Sequence, residues 1–310
     1  MQLTLPLRGP SGEPVDLWRT LVSHGVANLP PMEIDEERRT LETTIALDSA
    51  KPRTVSISEG RDVARIDVHG PPLGGPNRDE LLGRLRHVLN LDEDLAPFYE
   101  AAAADPDLAW VTTGAGRMLR SPTVFEDLVK TVCTTNCAWS ATVRMTTALV
   151  EHLGESSAGG HGRAFPKLAA MAEAGDAFYK DVVRAGYRGA YLRAIAAAVA
   201  EGELDLDALL DPELGDPEVE AALLALPGVG PYAAAHMMML LGRYSPLILD
   251  SWTRPKYARL AGKKKVADRT IERRFRRYGR YAGLAFWLYL TRDWVPESLA
   301  SGGTEVRVCE

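Results

Sequence analysis

The chain has 310 residues, of which 46% are hydrophobic and 25% charged. This length suffices for one large domain or two modest ones, and the composition excludes disordered, collagen-like and coiled-coil proteins. The apolar runs are shorter than the roughly 20 residues of a membrane span, and the first residues lack the apolar core of a signal peptide. We therefore expect a cytoplasmic protein without membrane contacts.

The net charge of −6 is unevenly distributed along the chain. Residues 251–280 contain twelve Lys or Arg and two acidic residues, a local charge of +10 that leaves −16 for the rest. Segregated positive charge is typical of a face that binds phosphates, since neutralised phosphates release their counterions. A solvated helix face would give the same pattern, so this segment alone leaves both interpretations open.

Three cysteines, Cys133, Cys137 and Cys309, are too few for a disulfide framework and fit a reducing compartment. Cys133 and Cys137 lie four residues apart within an apolar helical pattern, which favours core packing. No second Cys pair or His pair completes a zinc site, and no four-cysteine spacing exists. The sequence thus predicts no metal bound by side chains and no iron–sulfur cluster.

The predicted elements begin with three segments of alternating apolar residues, which indicate antiparallel strands. These segments are residues 41–47, 55–57 and 64–68. After a Gly/Pro-rich stretch, Asn77 is placed to cap a helix, and from about residue 79 onward nearly every segment has helical periodicity.

This change of periodicity predicts the fold class, an α+β, mostly α protein. We expect a mixed β/α domain with a small antiparallel sheet over residues 1–110, followed by a helical domain over residues 111–310. Within the helical part, Ser121-Pro122 and Asp216-Pro217 each have a capping residue followed by proline at the first helical position.

The segment LPGVGPYAAAHMMMLLG, residues 226–242, predicts two helices joined by a hairpin at residues 226–231, the second helix beginning at Pro231. Gly228 and Gly230 supply the backbone angles of a tight turn and allow another molecule to approach closely. Their exposed amides, beside a helix N-terminus, suit a phosphate. An ordinary turn between two helices is the alternative interpretation.

Asp250 comes eighteen residues after Tyr232, directly behind the apolar run SPLIL. A carboxylate at the edge of a core is unfavourable unless it is solvated, paired or used in chemistry. Asp250 is therefore a candidate functional residue, although an Asp after an apolar run is also a common helix cap.

LPGVGPY and the following ILD resemble the helix-hairpin-helix (HhH-GPD) DNA glycosylase superfamily, nearest its 3-methyladenine and 8-oxoguanine DNA glycosylase branches. Three further segments resemble, in order, the stretch that enters the DNA-facing helix, the loop that wedges into the duplex and the final helix of these enzymes. They are residues 116–139, 185–192 and 278–294. The resemblance covers about residues 110–295, and the strands before it fit the N-terminal domain of the two purine-lesion branches.

The resemblance implies roles for individual residues. Asp250 is the expected catalytic carboxylate, which would stabilise the oxocarbenium character of the sugar and guide water as the N-glycosidic bond breaks. The base pocket is expected to comprise Tyr232, His236, Phe286 and Leu290. The residues expected to contact DNA are Asn136, Tyr187, Arg188, Gly228, Gly230, Trp252, Arg254 and Lys256.

Two of the pocket positions depart from the family pattern. Phe286 stands where the 8-oxoguanine enzymes have an amide side chain, and an aromatic wall suits electron-poor alkylated purines by stacking and cation–π attraction. Tyr232 stands where bifunctional members have a lysine that forms a Schiff base, and a phenol cannot form an imine. His236 shares a helix face with Tyr232, with a satisfied core histidine as the alternative.

We therefore expect a monofunctional DNA glycosylase of base excision repair that flips a damaged base, with alkylated purines favoured and without efficient AP-lyase activity. Oxidised guanine and mismatched uracil or thymine are the alternative substrates, and a non-catalytic binder of damaged DNA is the alternative function. The expected partner is duplex DNA containing a damaged base, bound by a monomer associated with the nucleoid. No organic cofactor is expected, and hairpin carbonyls near Leu226 and Val229 could hold a sodium or potassium ion.

Overall fold

A computed structural model describes residues 1–295, which form one five-stranded sheet and twelve α-helices. The strands are β1 (Gln2–Pro6), β2 (Glu33–Asp35), β3 (Thr40–Ile45), β4 (Arg53–Glu59) and β5 (Val63–Val68). The helices are α1 (Leu17–Leu21), α2 (Gly75–Val88), α3 (Ala96–Ala102), α4 (Val124–Thr134), α5 (Trp139–Leu153), α6 (Leu168–Glu173), α7 (Arg188–Ala200), α8 (Asp216–Leu224), α9 (Pro231–Leu240), α10 (Thr253–Leu260), α11 (Asp268–Phe275) and α12 (Ala282–Thr291). The predicted α+β, mostly α class is confirmed. Cys309 lies outside the described residues.

The sheet is antiparallel throughout, with the strand order β1-β5-β4-β3-β2. Side chains on one face, including Leu41, Val55, Ile57 and Ile66, are fully buried, as the alternation predicts. The three predicted strands correspond to β3, β4 and β5. The sequence analysis missed β1 and β2, which lie at the two edges of the sheet.

Two groups of buried apolar side chains hold the chain together. The first joins the inner face of the sheet to α2, and the second surrounds α4, α9 and α12. Leu119 joins the first group and Phe98 the second, so the two groups interleave in sequence near the predicted boundary between residues 1–110 and 111–310. Helix α4 packs against α5, α7 and α9, and this packing positions the connections described below.

Three predicted helix caps are corrected by the structure, among them Asp216, which is the first residue of α8 after the N-cap Gly215. Helix α2 begins at Gly75, ahead of Asn77, because Pro76 occupies the first turn, where a missing N–H costs nothing. Thr123 caps α4 by accepting from the Glu126 amide at 3.2 Å. Ser121 instead donates its amide to the buried Asp127 carboxylate at 2.9 Å.

Within residues 1–295, no helix has both the length and the apolar character that crossing a bilayer requires.

Candidate functional site

A cleft of about 670 Å³ lies where the α4–α5 turn, the start of α7 and the α8–α9 hairpin meet. Six of the predicted site residues line it: Asn136, Tyr187, Gly228, Gly230, Tyr232 and Asp250. They come from four separate stretches of the chain, and the packing of α4 against α7 and α9 brings them together.

The hairpin between α8 and α9 forms one wall of the cleft. Gly228 has a φ of +79°, and a Cβ at this position would lie 2.6 Å from the ring of Tyr191. The turn therefore requires glycine for both its backbone angle and its packing. Gly230 is the N-cap of α9 and is followed by Pro231 in the first turn, the arrangement predicted from sequence.

Asp250 lines the cleft, half-buried, just before α10. Its Oδ1 accepts from the amides of Trp252 at 2.8 Å and Thr253 at 2.7 Å, while the Asp250 amide donates to Thr253 Oγ1 at 2.8 Å. One carboxylate oxygen thus caps the helix. Oδ2 has no hydrogen bond or ion pair with any described residue and is available to another molecule.

Asn136 and Tyr187 both line the cleft and are exposed to solvent. Asn136 is exposed in the α4–α5 turn, with a left-handed φ of +46° that Asn tolerates better than most residues. The Tyr187 side chain is 54% exposed. Both positions suit contacts with a molecule larger than the cleft.

Arg188 does not share the exposed position of Tyr187. It is 7% exposed, and its guanidinium donates to the carbonyl of Thr135, with the Nε bond at 3.0 Å. The same guanidinium lies 4.6 Å from the centre of the Tyr187 ring. The prediction that Arg188 contacts DNA is therefore corrected, because the side chain already binds the α4–α5 turn and packs on the Tyr187 ring.

Three rings lead from the cleft into the protein. Tyr232 lines the cleft and stacks on His236 with ring centres 6.2 Å apart, and His236 meets the edge of His24 at 5.6 Å. Burial lowers the pKa of His236 to about 3 and that of His24 to about 4. Both rings are therefore neutral at pH 7. The His236 Nε2 has no hydrogen-bond partner among the described residues, so the satisfied core histidine considered above is not what the structure has.

Curated relatives match half or more of this chain in sequence. DNA-3-methyladenine glycosylase of Bacillus subtilis (strain 168) is 28% identical over 208 residues, which is 62% of this chain and 68% of that protein. The probable bifunctional transcriptional activator/DNA repair enzyme AlkA of Mycobacterium tuberculosis is 33% identical over 161 residues, half of this chain but 31% of that longer protein. No protein-family model matches the chain.

Solved structures share the fold along nearly the whole chain. A 3-methyladenine DNA-glycosylase from Archaeoglobus fulgidus superposes with a TM-score of 0.71 at 19% identity, covering 94% of this chain and 99% of that one. The 8-oxoguanine glycosylase/lyase of Clostridium acetobutylicum, in complex with DNA containing 8-oxoG, superposes with a TM-score of 0.68 at 22% identity, covering 90% and 92%. These matches in sequence and in fold confirm the predicted resemblance to the helix-hairpin-helix DNA glycosylase superfamily. Likeness of the solved structures at these identities concerns the fold, so the residue roles in this chain rest on its own geometry.

Besides His236, which lies behind Tyr232, two further residues predicted for the base pocket do not line the cleft. Phe286 is fully buried in an aromatic group, 5.3 Å from the ring centre of Phe275 and 6.1 Å from that of Tyr257. Leu290, one turn later on α12, is also fully buried, and neither residue lines the cleft. Both belong to the core, because α12 buries its whole circumference. The aromatic wall that Phe286 was expected to supply is therefore absent from that position.

Lys256 and Arg254 differ in their availability to DNA. The Lys256 ammonium is nearly buried and binds the carboxylate of Asp293 at 2.6 Å, so its predicted phosphate contact is corrected. Arg254 is exposed and forms a two-pronged pair with Asp268 at 2.8 and 2.9 Å. An exposed pair of this kind stabilises a protein by about 0–1 kcal/mol, so a phosphate can compete for Arg254.

The cations of the basic segment 251–280 fall into two groups, those paired with acidic residues of the protein and those left exposed without an ion pair. Arg274, Arg277 and Arg280 pair with acidic residues at positions 107, 105 and 93, so these arginines bind parts of the protein to one another. Seven exposed cations of the segment have no ion pair with a described residue: Arg259, Lys263, Lys264, Lys265, Arg269, Arg273 and Arg276. Only these seven and Arg254 remain suited to phosphate binding.

A second cavity, of about 380 Å³, contains residues that the sequence analysis missed. His24 lines it together with Trp18, Trp139 and Trp294. Trp252, which was predicted to contact DNA, is 41% exposed and lies 5.9 Å from Trp294 between ring centres. No spacing in the sequence links these residues, because separate segments of the chain bring them together.

Proposed function

We propose that this chain is a monofunctional DNA glycosylase that extrudes a damaged base from duplex DNA and hydrolyses its N-glycosidic bond. The observation that carries the proposal is the free Oδ2 of Asp250, a residue that lines the same cleft as the glycine hairpin. Breaking this bond gives the sugar oxocarbenium character, which an adjacent carboxylate stabilises. The same oxygen can orient the attacking water.

The hairpin and Tyr187 would hold the duplex. The glycine turn lets a DNA strand approach the backbone, and the amides at the start of α9 favour a phosphate. Tyr187, which is 54% exposed and lines the cleft, would fill the gap left in the base stack when a nucleotide is extruded. Asn136, which is exposed and also lines the cleft, would contact the orphaned base.

Alkylated purines are the proposed substrates because the aromatic rings at the cleft carry no positive charge. Alkylated purines are cationic or electron-poor, and they bind aromatic faces well. Since burial keeps His236 and His24 neutral, Tyr232 and the rings behind it present no positive charge to such a base. The curated relative from Bacillus subtilis, named as a DNA-3-methyladenine glycosylase, supports the same substrate class.

The absence of lyase activity is proposed from the residues of the cleft. Tyr232 occupies the position where bifunctional relatives have a lysine, and no lysine lines the cleft among the described residues. Lys256, the lysine nearest to Asp250 in sequence, is engaged with Asp293. No primary amine is therefore in place to attack the sugar.

The hairpin can also accommodate an alkali cation. The Leu226 carbonyl accepts from the Val229 amide at 3.2 Å and keeps a second lone pair, and neutral carbonyl oxygens suit a sodium or potassium ion. The carbonyls of Leu226 and Val229 would hold this ion, which would stiffen the turn. We propose no organic cofactor, and we propose that the protein acts as a monomer on nucleoid DNA.

Oxidised guanine is the second candidate substrate, because Asn136 and Tyr187 match the family's 8-oxoguanine pattern in sequence and both line the cleft. Mismatched uracil or thymine comes third, since tyrosine at position 232 also occurs in that branch. A binder of damaged DNA without chemistry would have the same hairpin and the same basic segment. These candidates are distinguished by what is released from DNA.

The test is a panel of duplexes, each with one lesion, incubated with the purified protein. Released base and strand breaks are measured with and without alkali. We expect release of 3-methyladenine or 7-methylguanine, breaks only after alkali, and no adduct on borohydride reduction. Trapping of a covalent adduct would contradict the monofunctional assignment, and release of no base from any duplex would favour the binder.

A further inference from the structure

Three potential metal ligands meet on the outer face of the sheet, away from the cleft. Glu42 on β3, His69 just after β5 and His161 in the α5–α6 connection each offer a ligand atom, and these atoms lie within 4.8 Å of one another. The two imidazole rings meet edge to face with centres 5.1 Å apart. The three residues are distant in sequence, so the cluster exists only in the folded protein.

The loop that carries His161 is fixed to the sheet by contacts that do not involve its imidazole. The His161 carbonyl accepts from the Thr54 hydroxyl at 2.8 Å, and the Ala158 amide donates to Pro52 at 2.9 Å. Gly70 packs so closely on Gly159 that a Cβ at residue 70 would lie 2.9 Å from the Gly159 nitrogen. These backbone contacts of the loop therefore position the His161 ring beside Glu42 and His69.

The spacing of the ligand atoms fits a small divalent cation. His161 Nε2 and Glu42 Oε1 lie 3.7 Å apart. Zinc bonds of about 2.0–2.1 Å in a tetrahedron place adjacent ligands about 3.3 Å from each other, so this pair needs a shift of a few tenths of an ångström, and a pair at the 4.8 Å limit of the cluster needs its side chains to approach by about 1.5 Å. Two imidazoles and one carboxylate form a ligand set that zinc accepts, with a fourth position left for water.

Ser56 provides a supporting hydrogen bond. Its hydroxyl lies 2.8 Å from His69 Nε2 and donates to Glu42 Oε2 at 3.3 Å, so it stands between the two ligands on adjacent strands. With Glu42 Oε1 turned to a metal, Ser56 can keep its bond to Oε2 and orient the carboxylate. Glu42 also lines a cavity of about 350 Å³, and the His161 side chain is 51% exposed, so an ion has a route in.

We propose that Glu42, His69 and His161 bind one Zn²⁺ ion, which fastens the α5–α6 connection to the sheet. No metal site was predicted from sequence because only the spacing of ligands along the chain was considered, and the three ligands of this site follow no such spacing. The proposal does not depend on the glycosylase function, because the cluster and the Asp250 cleft share no residues.

The test uses the full chain, freed of metal with a chelator and titrated with Co²⁺ followed by Zn²⁺. We expect visible d–d bands of tetrahedral cobalt at one equivalent, their loss on adding zinc, and a rise in melting temperature with zinc. His161→Ala should abolish these signals and keep the fold, because the loop is held through backbone groups. Ser56→Ala should weaken zinc binding about tenfold.

His152→Ala is the matched control, because His152 is an exposed histidine on α5 outside the cluster. This variant should bind cobalt and zinc as the unchanged protein does. Binding that survives His161→Ala, or that falls equally in His152→Ala, would overturn the proposal, as would a wild-type chain that takes up no cobalt. In the last case the three side chains form only a surface ion pair between His161 and Glu42. Base release by the His161→Ala variant should stay unchanged, which separates this test from that of the glycosylase.

Discussion

Replacing Asp250 by asparagine should remove the catalytic charge while keeping the helix cap. Asn caps helices about as well as Asp, and its Oδ1 can accept the same two amides, from Trp252 and Thr253. A carboxylate about 4 Å from the developing positive charge contributes about 4 kcal/mol at an effective dielectric constant near 20. We therefore expect base release to slow by about three orders of magnitude, at 1.36 kcal/mol each.

The assay is single-turnover release of methylated purines from alkylated duplex DNA, with affinity for an abasic-site duplex measured in parallel. Asp250→Asn should bind the abasic duplex nearly as the unchanged protein does and should unfold at the same denaturant concentration. Asp250→Ala should be equally slow and, in addition, less stable by about 1 kcal/mol, because it loses the cap.

These two variants separate catalysis from folding. If Asp250→Asn released base within tenfold of the unchanged rate, the carboxylate would have no catalytic role. If Asp250→Asn lost as much stability as Asp250→Ala, its activity would say nothing about charge, and the assignment of Oδ1 to the cap would be wrong.

Three further predictions concern the pocket, the duplex contact and the basic segment. In the unfolded chain His236 takes up a proton below pH 6.5, whereas in the folded protein it stays neutral down to about pH 3, so its contribution to stability is lost as the pH falls through this range. At pH 5 that loss is about 2 kcal/mol. The unfolding free energy, measured with urea, should therefore differ less between pH 7 and pH 5 in His236→Leu than in the unchanged protein, by about this amount. The same difference in both proteins would show that the ring titrates normally. Tyr187→Ala should weaken binding to an abasic-site duplex by about 1–3 kcal/mol in a fluorescence titration, while Tyr187→Phe should not, and equal losses would exclude ring stacking as the cause. Changing all three lysines at residues 263–265 to Gln should flatten the dependence of log K on log salt by up to about 3, at about 0.9 per phosphate contact. Arg277→Gln, the control, should lower the melting temperature and leave that slope unchanged, because Arg277 pairs with Asp105. A slope that changed only in the control would show that Arg277 binds phosphate and that the three lysines do not.

The features that could be predicted from sequence are those set by local chain geometry. The hairpin follows from Gly228 and Pro231, which restrict the backbone directly, and strands β3 to β5 follow from alternation over six or seven residues. The missed edge strands are short, and β1 is fixed by pairing with β5, more than fifty residues later in the chain. Such pairing has no local signal.

Side-chain direction was the main source of error at the site. Arg188, Lys256 and Phe286 occupy the expected positions along the chain, yet each side chain is buried by a partner from a distant segment. A resemblance aligns positions, whereas the exposure of a side chain depends on neighbours that differ between relatives. The same reason explains why His24 was missed, since its proximity to His236 arises from tertiary packing alone.

The two interpretations of Asp250 weighed from sequence, helix cap and functional carboxylate, are compatible in the structure. Capping uses Oδ1 and its two amide bonds, which fix the orientation of the carboxylate and thereby the direction of Oδ2. A catalytic group must be held within about 0.5 Å of its working position by supporting hydrogen bonds. In the proposed mechanism the cap therefore aims the reactive oxygen, and the Thr253 hydroxyl of α10 helps by holding the Asp250 amide.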